Sequence, residues 1–363
     1  MDQQGVKSNL AHLPRRSLHR LADLQSSALL PDPHDKALVQ LAERYTIAIT
    51  PQMVDAIDTQ NLATDPIARQ FIPDARELRI LPEEESDPIG DYKHSPVKGL
   101  VHRHPDRVLL KPTQACAVYC RFCFRREMVG PHGDTISASD IEEALAYIAD
   151  HTEIKEVILT GGDPFVLSAV RLKDLLSRLY AMDHIKWIRV HTRVPVVQPD
   201  KIDAAFLQAL KGPKPLVISL HINHVRELTD DAKYAIAQLN KQGHMLVSQS
   251  VLLKNINDNV TALADLMNGL MENHIKPYYL HHTDLTRGTS HFRVSLATGL
   301  SLMKQLRPLV SGLCMPDYVI DIPGGVAKIP VNSDHVQPIA DQDHAYWLVA
   351  PDGTTYFYQD IAA

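Results

Sequence analysis

Three cysteines carry the first chemical signal. Cys116, Cys120 and Cys123 fall within eight residues, in the run Cys-Ala-Val-Tyr-Cys-Arg-Phe-Cys. A compact loop can bring thiolates at this spacing to one point, where they can cap three irons of a cubane iron–sulfur cluster. Ordinary ferredoxin-type clusters use four cysteines, so the fourth iron is left for a ligand from outside the chain. The remaining cysteine, Cys314, lies far downstream, and nothing local places it beside the loop. A zinc site is the alternative, but zinc takes four ligands, commonly in CxxC pairs, and no histidine falls inside this loop. A second signal is Asp321-Ile-Pro-Gly324-Gly325-Val-Ala-Lys328. A glycine turn lets backbone approach a ligand, and a lysine just behind it can form a Schiff base. Taken alone, Gly-Gly-x-x-Lys is more often a surface turn. Thr160-Gly161-Gly162-Asp163 is a third candidate, and by itself it too is turn chemistry.

These residues must be positioned by something, and the pattern from Arg107 onward supplies it. Short β-rich runs at 107–113, 156–162, 187–192, 216–221, 245–253 and 276–283 alternate with helical periodicities near 138–150, 169–181, 200–211, 229–242 and 258–273. Another helical pattern follows near 297–308. Alternating βα units imply a parallel sheet. Ser139-Asp140 ahead of Ile141, and Thr229-Asp230, read as N-caps. The strand ends carry polar or small residues: Lys-Pro-Thr, Thr-Gly-Gly-Asp, His-Thr-Arg, Ser-Leu-His, Ser-Gln-Ser and His-His-Thr-Asp. In βα barrels the reactive groups sit at those ends, so one rim reads as a site. The expected fold is α/β, a partial (β/α)6 TIM-like barrel over 101–310. A mainly helical region occupies 1–100, including an amphipathic stretch at Asp35–Tyr45. A C-terminal segment, 311–363, carries Lys328 and a β-hairpin at Trp347–Tyr358.

Composition bounds the function classes. At 363 residues, with 45% hydrophobic and 22% charged residues, the chain is an ordinary globular one. A net charge of −6 lacks the basic face a nucleic-acid binder needs. The start, Met-Asp-Gln-Gln, lacks the basic and apolar regions of a signal peptide, and no apolar run is long enough to span a membrane. A cytoplasmic location is expected, with no nucleic-acid or membrane partner.

The CxxxCxxC loop behind the first strand of a βα series resembles that of radical S-adenosylmethionine (SAM) enzymes. The resemblance implies one [4Fe-4S] cluster on Cys116, Cys120 and Cys123, with SAM chelating the open iron and cleaved to a 5′-deoxyadenosyl radical. Residues 160–163 resemble the GGE-type motif that binds the SAM amino group, which points to Gly161, Gly162 and Asp163. Gln249 falls where such enzymes contact SAM. Further runs make the resemblance more specific. His102-Arg103-His104-Pro105-Asp106-Arg107, Arg125-Arg126, Thr192-Arg193-Val194-Pro195, Asn255-Ile-Asn257-Asp258, Asp284-Leu-Thr, Gly288-Thr-Ser-His291-Phe292-Arg293 and the Asp321-to-Lys328 segment are similar to the lysine 2,3-aminomutase family, in family order from about 95 to 335.

That family implies an isomerase that moves the α-amino group of lysine to the β carbon. Lys328 would carry pyridoxal phosphate, Arg103 and Arg107 would bind its phosphate, and Arg125 would pair with the substrate carboxylate. Asp284 and Asp321 would receive the distal ammonium. Charge pairing favours this independently, because two carboxylates at one site repel unless a cation sits between them, and a buried ammonium needs a partner. A helix cap and a turn-stabilising Asx are the structural alternatives for these two aspartates. The resemblance also implies an external low-potential electron donor and leaves a homo-oligomer open. Phe122, Glu127 and His104 depart from the residues typical of the family. Cys-Phe-Arg-Arg and the shorter chain also resemble the branch that makes (R)-β-lysine for elongation factor P; a different amino-acid 2,3-aminomutase and a non-enzymatic iron–sulfur protein are the remaining readings.

Overall fold

The computed structural model describes residues 16–129 and 136–362; the N-terminal residues in which no leader is read lie outside them. Nine strands form one sheet: β1 (Leu100–His104), β2 (Arg107–Thr113), β3 (Glu156–Gly161), β4 (Trp187–Thr192), β5 (Leu216–His221), β6 (Met245–Val251), β7 (Lys276–His281), β8 (Asp317–Asp321) and β9 (Lys328–Pro330). They lie side by side in chain order. β2 through β8 run parallel, while β1 and β9 are antiparallel strands at the two edges. This is a mixed α/β fold with an open parallel sheet, consistent with a partial barrel. The six β-rich runs of the sequence are its first six parallel strands. A seventh, β8, extends the sheet into the stretch read as a C-terminal segment.

Helices at Ala138–Asp150, Ala169–Tyr180, Asp230–Lys241, Val260–Glu272 and Leu296–Leu306 cover the outer face. Their apolar stripes and the outward residues of the strands, such as Val108, Leu110, Val157, Leu159, Ile188 and Val190, make one core. Thr229 caps its helix through Ala232 N at 3.3 Å, as the sequence suggested. The helix at 138 starts earlier than Ser139-Asp140 implied. Ser137 is the cap, because its hydroxyl accepts from Asp140 N (3.1 Å) while Asp140 accepts from Ser137 N (2.7 Å), a reciprocal box that leaves Ser139 inside the first turn. Among the described residues no helix is long and apolar enough to cross a membrane.

The N-terminal region packs as its own apolar cluster, Leu18 through Phe71, onto Val118 of the cysteine loop and Val197 after β4. Its continuation crosses the rim of the sheet, where Glu85 bridges Thr286. At the other end β10 (Val336–Pro338), β11 (Ala345–Val349) and β12 (Thr355–Gln359) form a small antiparallel sheet, which includes the hairpin read from the sequence.

Candidate active site

The cysteine loop leaves the end of β2 and is pressed against the end of β3. Gly162 N donates to Thr113 O and Asp163 N to Ala115 O, both at 2.8 Å. A Cβ on Gly162 would overlap the Ala115 carbonyl, and Gly161 has φ +106°. Both glycines are thus required by close approach. Asp163 is buried, and its oxygens accept from Thr192 Oγ1 (2.7 Å), Arg193 N (2.7 Å) and Phe165 N (3.0 Å). Its carboxylate fastens the loop after β4 rather than facing a ligand, so only backbone at Gly161–Asp163 is left for one.

Cys116 is exposed and Cys120 and Cys123 are half-buried, all three as free thiols. Burial first, then the neighbouring Cys120, pushes Cys123 up to about 11, and burial, then Asp163 and the other two sulfurs, raises Cys116. Arg193 Nη1 donates to Cys120 Sγ at 2.8 Å, as suits a sulfur held as thiolate. Cys314 is buried in the outer core. Among the described residues no group of three or more His, Cys, Asp or Glu converges tightly enough to hold a single metal ion. With Cys314 in the outer core, the loop offers three cysteine sulfurs, which fits a multi-iron cluster with three thiolate ligands better than a four-ligand zinc site.

Lys328 is set by a hairpin. β8 pairs β9 with Asp321 opposite Lys328, so the ammonium meets the carboxylate across the strand pair in a short ion pair. His281 Nδ1, at the end of β7, lies 3.2 Å from the same Nζ. The ring of Tyr279 lies 5.7 Å from it. The Gly324-Gly325 turn has φ of +79° and +72° and fits against Gly90, where a Cβ on Gly325 would overlap the Ile89 carbonyl and come 3.1 Å from Arg103 Cζ. Arg103 sits on β1, ion-paired to Asp91, with its Nε buried and unpartnered among the described residues. A glycine cradle, an amine and an arginine with an open donor suit pyridoxal phosphate. Arg107, opposite His104 at the start of β2, pairs with Asp106 at 2.8 Å and is half-exposed.

Arg125 is buried. It donates through Nε to Asp91 Oδ2 (2.7 Å) and through Nη1 to Thr160 Oγ1 (3.2 Å). Asp284, half-buried just beyond β7, has no ion pair among the described residues. Burial first, then repulsion from Asp321, pushes its pKa up to about 7 against the pull of Lys328, Arg125 and Arg103. Gln249 on β6 reaches His191 on β4 at 3.4 Å. The cysteine loop, Gly161–Asp163, Gln249, Asp284 and Asp321 thus share one rim, at the C-terminal ends of the parallel strands, with Lys328 opposite Asp321, whereas Arg107 stands at the N-terminal start of β2. Arg125 links the two halves of the rim, because it feels Cys123 on one side and acts on Asp284 on the other.

Several groups here had no signal in the sequence. Asp91 is fully buried, and although burial would raise it, Arg125, Lys111 and Arg103 hold its pKa at about 2. In the sequence His281 stands only as a strand end, Arg193 as a strand end and a member of the family-like run Thr192-Arg193-Val194-Pro195, and Glu77 carries no signal. A buried carboxylate inside a polar, proline-bearing stretch looks like any solvated one until its partners are known.

Residues 110–267 match the Radical SAM superfamily model. The chain is 35% identical over 322 residues to the L-lysine 2,3-aminomutase of Acetoanaerobium sticklandii, covering 89% of this chain and 78% of the relative. It is 38% identical over 306 residues to that of Methanococcus maripaludis (84% and 71% covered). It is also 34% identical over 292 residues to the glutamate 2,3-aminomutase of Clostridioides difficile (80% and 69%).

Proposed function

The chain belongs to the lysine 2,3-aminomutase family of radical SAM enzymes, and on that premise we propose that it converts L-lysine to β-lysine. One observation carries the choice of substrate. Asp284 and Asp321 stand together and, among the described residues, Asp321 alone of the two has an ion-pair partner. A substrate ending in an ammonium supplies the missing cation, whereas one ending in a carboxylate, such as glutamate, would add a third negative charge.

Residue roles follow. Cys116, Cys120 and Cys123 hold the [4Fe-4S] cluster, and Gly161, Gly162, the Asp163 backbone and Gln249 receive SAM. Arg103 and Arg107 hold the phosphate of pyridoxal phosphate, and Lys328 carries the cofactor. When bound, the cluster and SAM supply a hydrogen-abstracting radical, and pyridoxal phosphate a π system on the migrating nitrogen. Arg125 orients the α-carboxylate, and the two aspartates fix the far end of lysine, so that the β carbon is presented in one register. His281 is pulled well below its ordinary pKa, first by burial and then by Lys328, so it stays neutral, and its Nδ1 can accept a hydrogen bond from Lys328 Nζ and hold that amine in place. We read the three sequence regions (1–100, 101–310 and 311–363) as a cover, a barrel and a cofactor-bearing segment that share this site, and the electron as coming from an external low-potential donor.

Anaerobic protein reconstituted with iron and sulfide, then given L-lysine, SAM, pyridoxal phosphate and dithionite, is expected to release β-lysine and no β-glutamate from glutamate. Lysine left unconverted while glutamate is isomerised would overturn the substrate choice. Chiral analysis of the product separates free metabolic β-lysine from the (R)-isomer used on elongation factor P.

Asp284 gives this reading a pH signature. Its carboxyl is neutral below about 7 and charged above, and only the charged form attracts an ammonium. Affinity for L-lysine should therefore rise with pH below about 7, by at most about tenfold per unit, and level off above it. Asp284→Asn should flatten the profile; if it leaves the slope in place, another group is titrating.

A further inference from the structure

Lys111 lies on β2, with Pro112, where the β2–β3 register shifts between Leu110 and Thr113. Val108 and Leu110 point into the outer core. Lys111 has the opposite parity and points to the inner face, as strand alternation requires. Its side chain is 7% exposed. Its Nζ lies 3.6 Å from Asp91 Oδ2, beyond hydrogen-bond length. The same oxygen already accepts from Arg125 Nε at 2.7 Å, while Arg103 takes the other oxygen. Three cations therefore press on one buried carboxylate, with Asp87 adding a more distant negative charge. A buried ammonium without a full hydrogen bond is costly, which points to an anion that arrives with a ligand.

Two anions could serve, a phosphate or a carboxylate, and Asp91 distinguishes them. Lys111 shares the oxygen facing Arg125, not the one facing Arg103. We propose that Lys111 is a second cation for the α-carboxylate of the substrate, which it holds jointly with Arg125. The proposal rests on the reading of Arg125 as the carboxylate partner, and its test keeps the two apart.

The probes are L-lysine and L-lysinamide, whose carboxylate is replaced by a neutral amide. Binding to pyridoxal phosphate-loaded protein is followed by visible absorbance, without SAM or reductant, so no turnover is involved. Lys111→Met is expected to weaken L-lysine about tenfold or more, the size of a charge-assisted hydrogen bond, and L-lysinamide less than about twofold. Lys111→Gln, polar and shorter, should behave alike, so that a packing fault peculiar to one variant does not decide the outcome. Asp91 keeps both arginines in either variant, which protects the fold. If Lys111→Met weakens both ligands equally, or neither, while Arg125→Gln still discriminates between them, the inference is overturned and the reading of Arg125 stands. If Arg125→Gln fails to discriminate as well, that reading falls too.

Discussion

Lys328→Ala should abolish amino migration, by about a thousandfold or more, while leaving the iron content of the protein intact. Lys328 is the one amine that the β8–β9 hairpin presents to the cavity opposite Asp321. It sits behind a glycine turn that only a residue without Cβ can make against Ile89. Its removal takes away the group that carries the cofactor and delivers it to substrate. It also leaves Asp321 beside a neutral His281. Cys120→Ala is the complementary lesion. It should lose iron and sulfide but still develop the absorbance of pyridoxal phosphate bound to Lys328. Metal analysis and a visible spectrum on the same two samples check the pair. Should the lysine variant keep both that absorbance and its turnover, the cofactor is attached elsewhere and the site described here is the wrong one.

The largest expected effect on stability lies outside the cavity, at Glu77. This carboxylate is fully buried and accepts from Arg121 Nε (2.9 Å) and Nη2 (2.6 Å) and from Arg126 Nη2. Burial alone would raise its pKa, but Arg121 and Arg126 hold it below the ordinary range. Both arginines belong to the cysteine loop, and Glu77 belongs to the N-terminal region. Arg126 also lies 3.8 Å above the ring of Tyr45 and donates to Gly288 O (3.2 Å). Glu77→Gln keeps the shape and removes the charge, leaving two guanidinium groups buried without an anion. Breaking a buried pair from one side costs roughly 3–5 kcal/mol. We therefore expect a clearly lower Tm and urea midpoint, with weaker retention of iron because the loop is no longer clamped. Glu142→Gln, in a surface pair with Arg178, is the control and should change neither measurement. An unchanged Tm in Glu77→Gln would show that the arginines find other partners.

The sequence by itself determined whatever is local or periodic. The cysteine spacing is a property of eight consecutive residues, and the strands and helices follow from alternation and amphipathic periods that each segment carries within itself. The Asp321-to-Lys328 hairpin is of the same kind, with its turn and both functional ends inside one short run. What depended on distant partners could not be read that way. That the Asp163 carboxylate would be taken up by Thr192 and the backbone at Arg193 depended on a strand nearly thirty residues away. The start of the helix at 138 depended on which of two serines closed a reciprocal hydrogen bond with Asp140. Asp91, Glu77, Lys111 and Arg193 acquire meaning only when packing puts charges from separate segments into the same dry space. Away from water an unpaired charge is costly, so a buried ion marks its partners. In the linear chain, where every side chain is counted as if solvated, that cost does not exist, and only the folded arrangement decides which charges must answer one another.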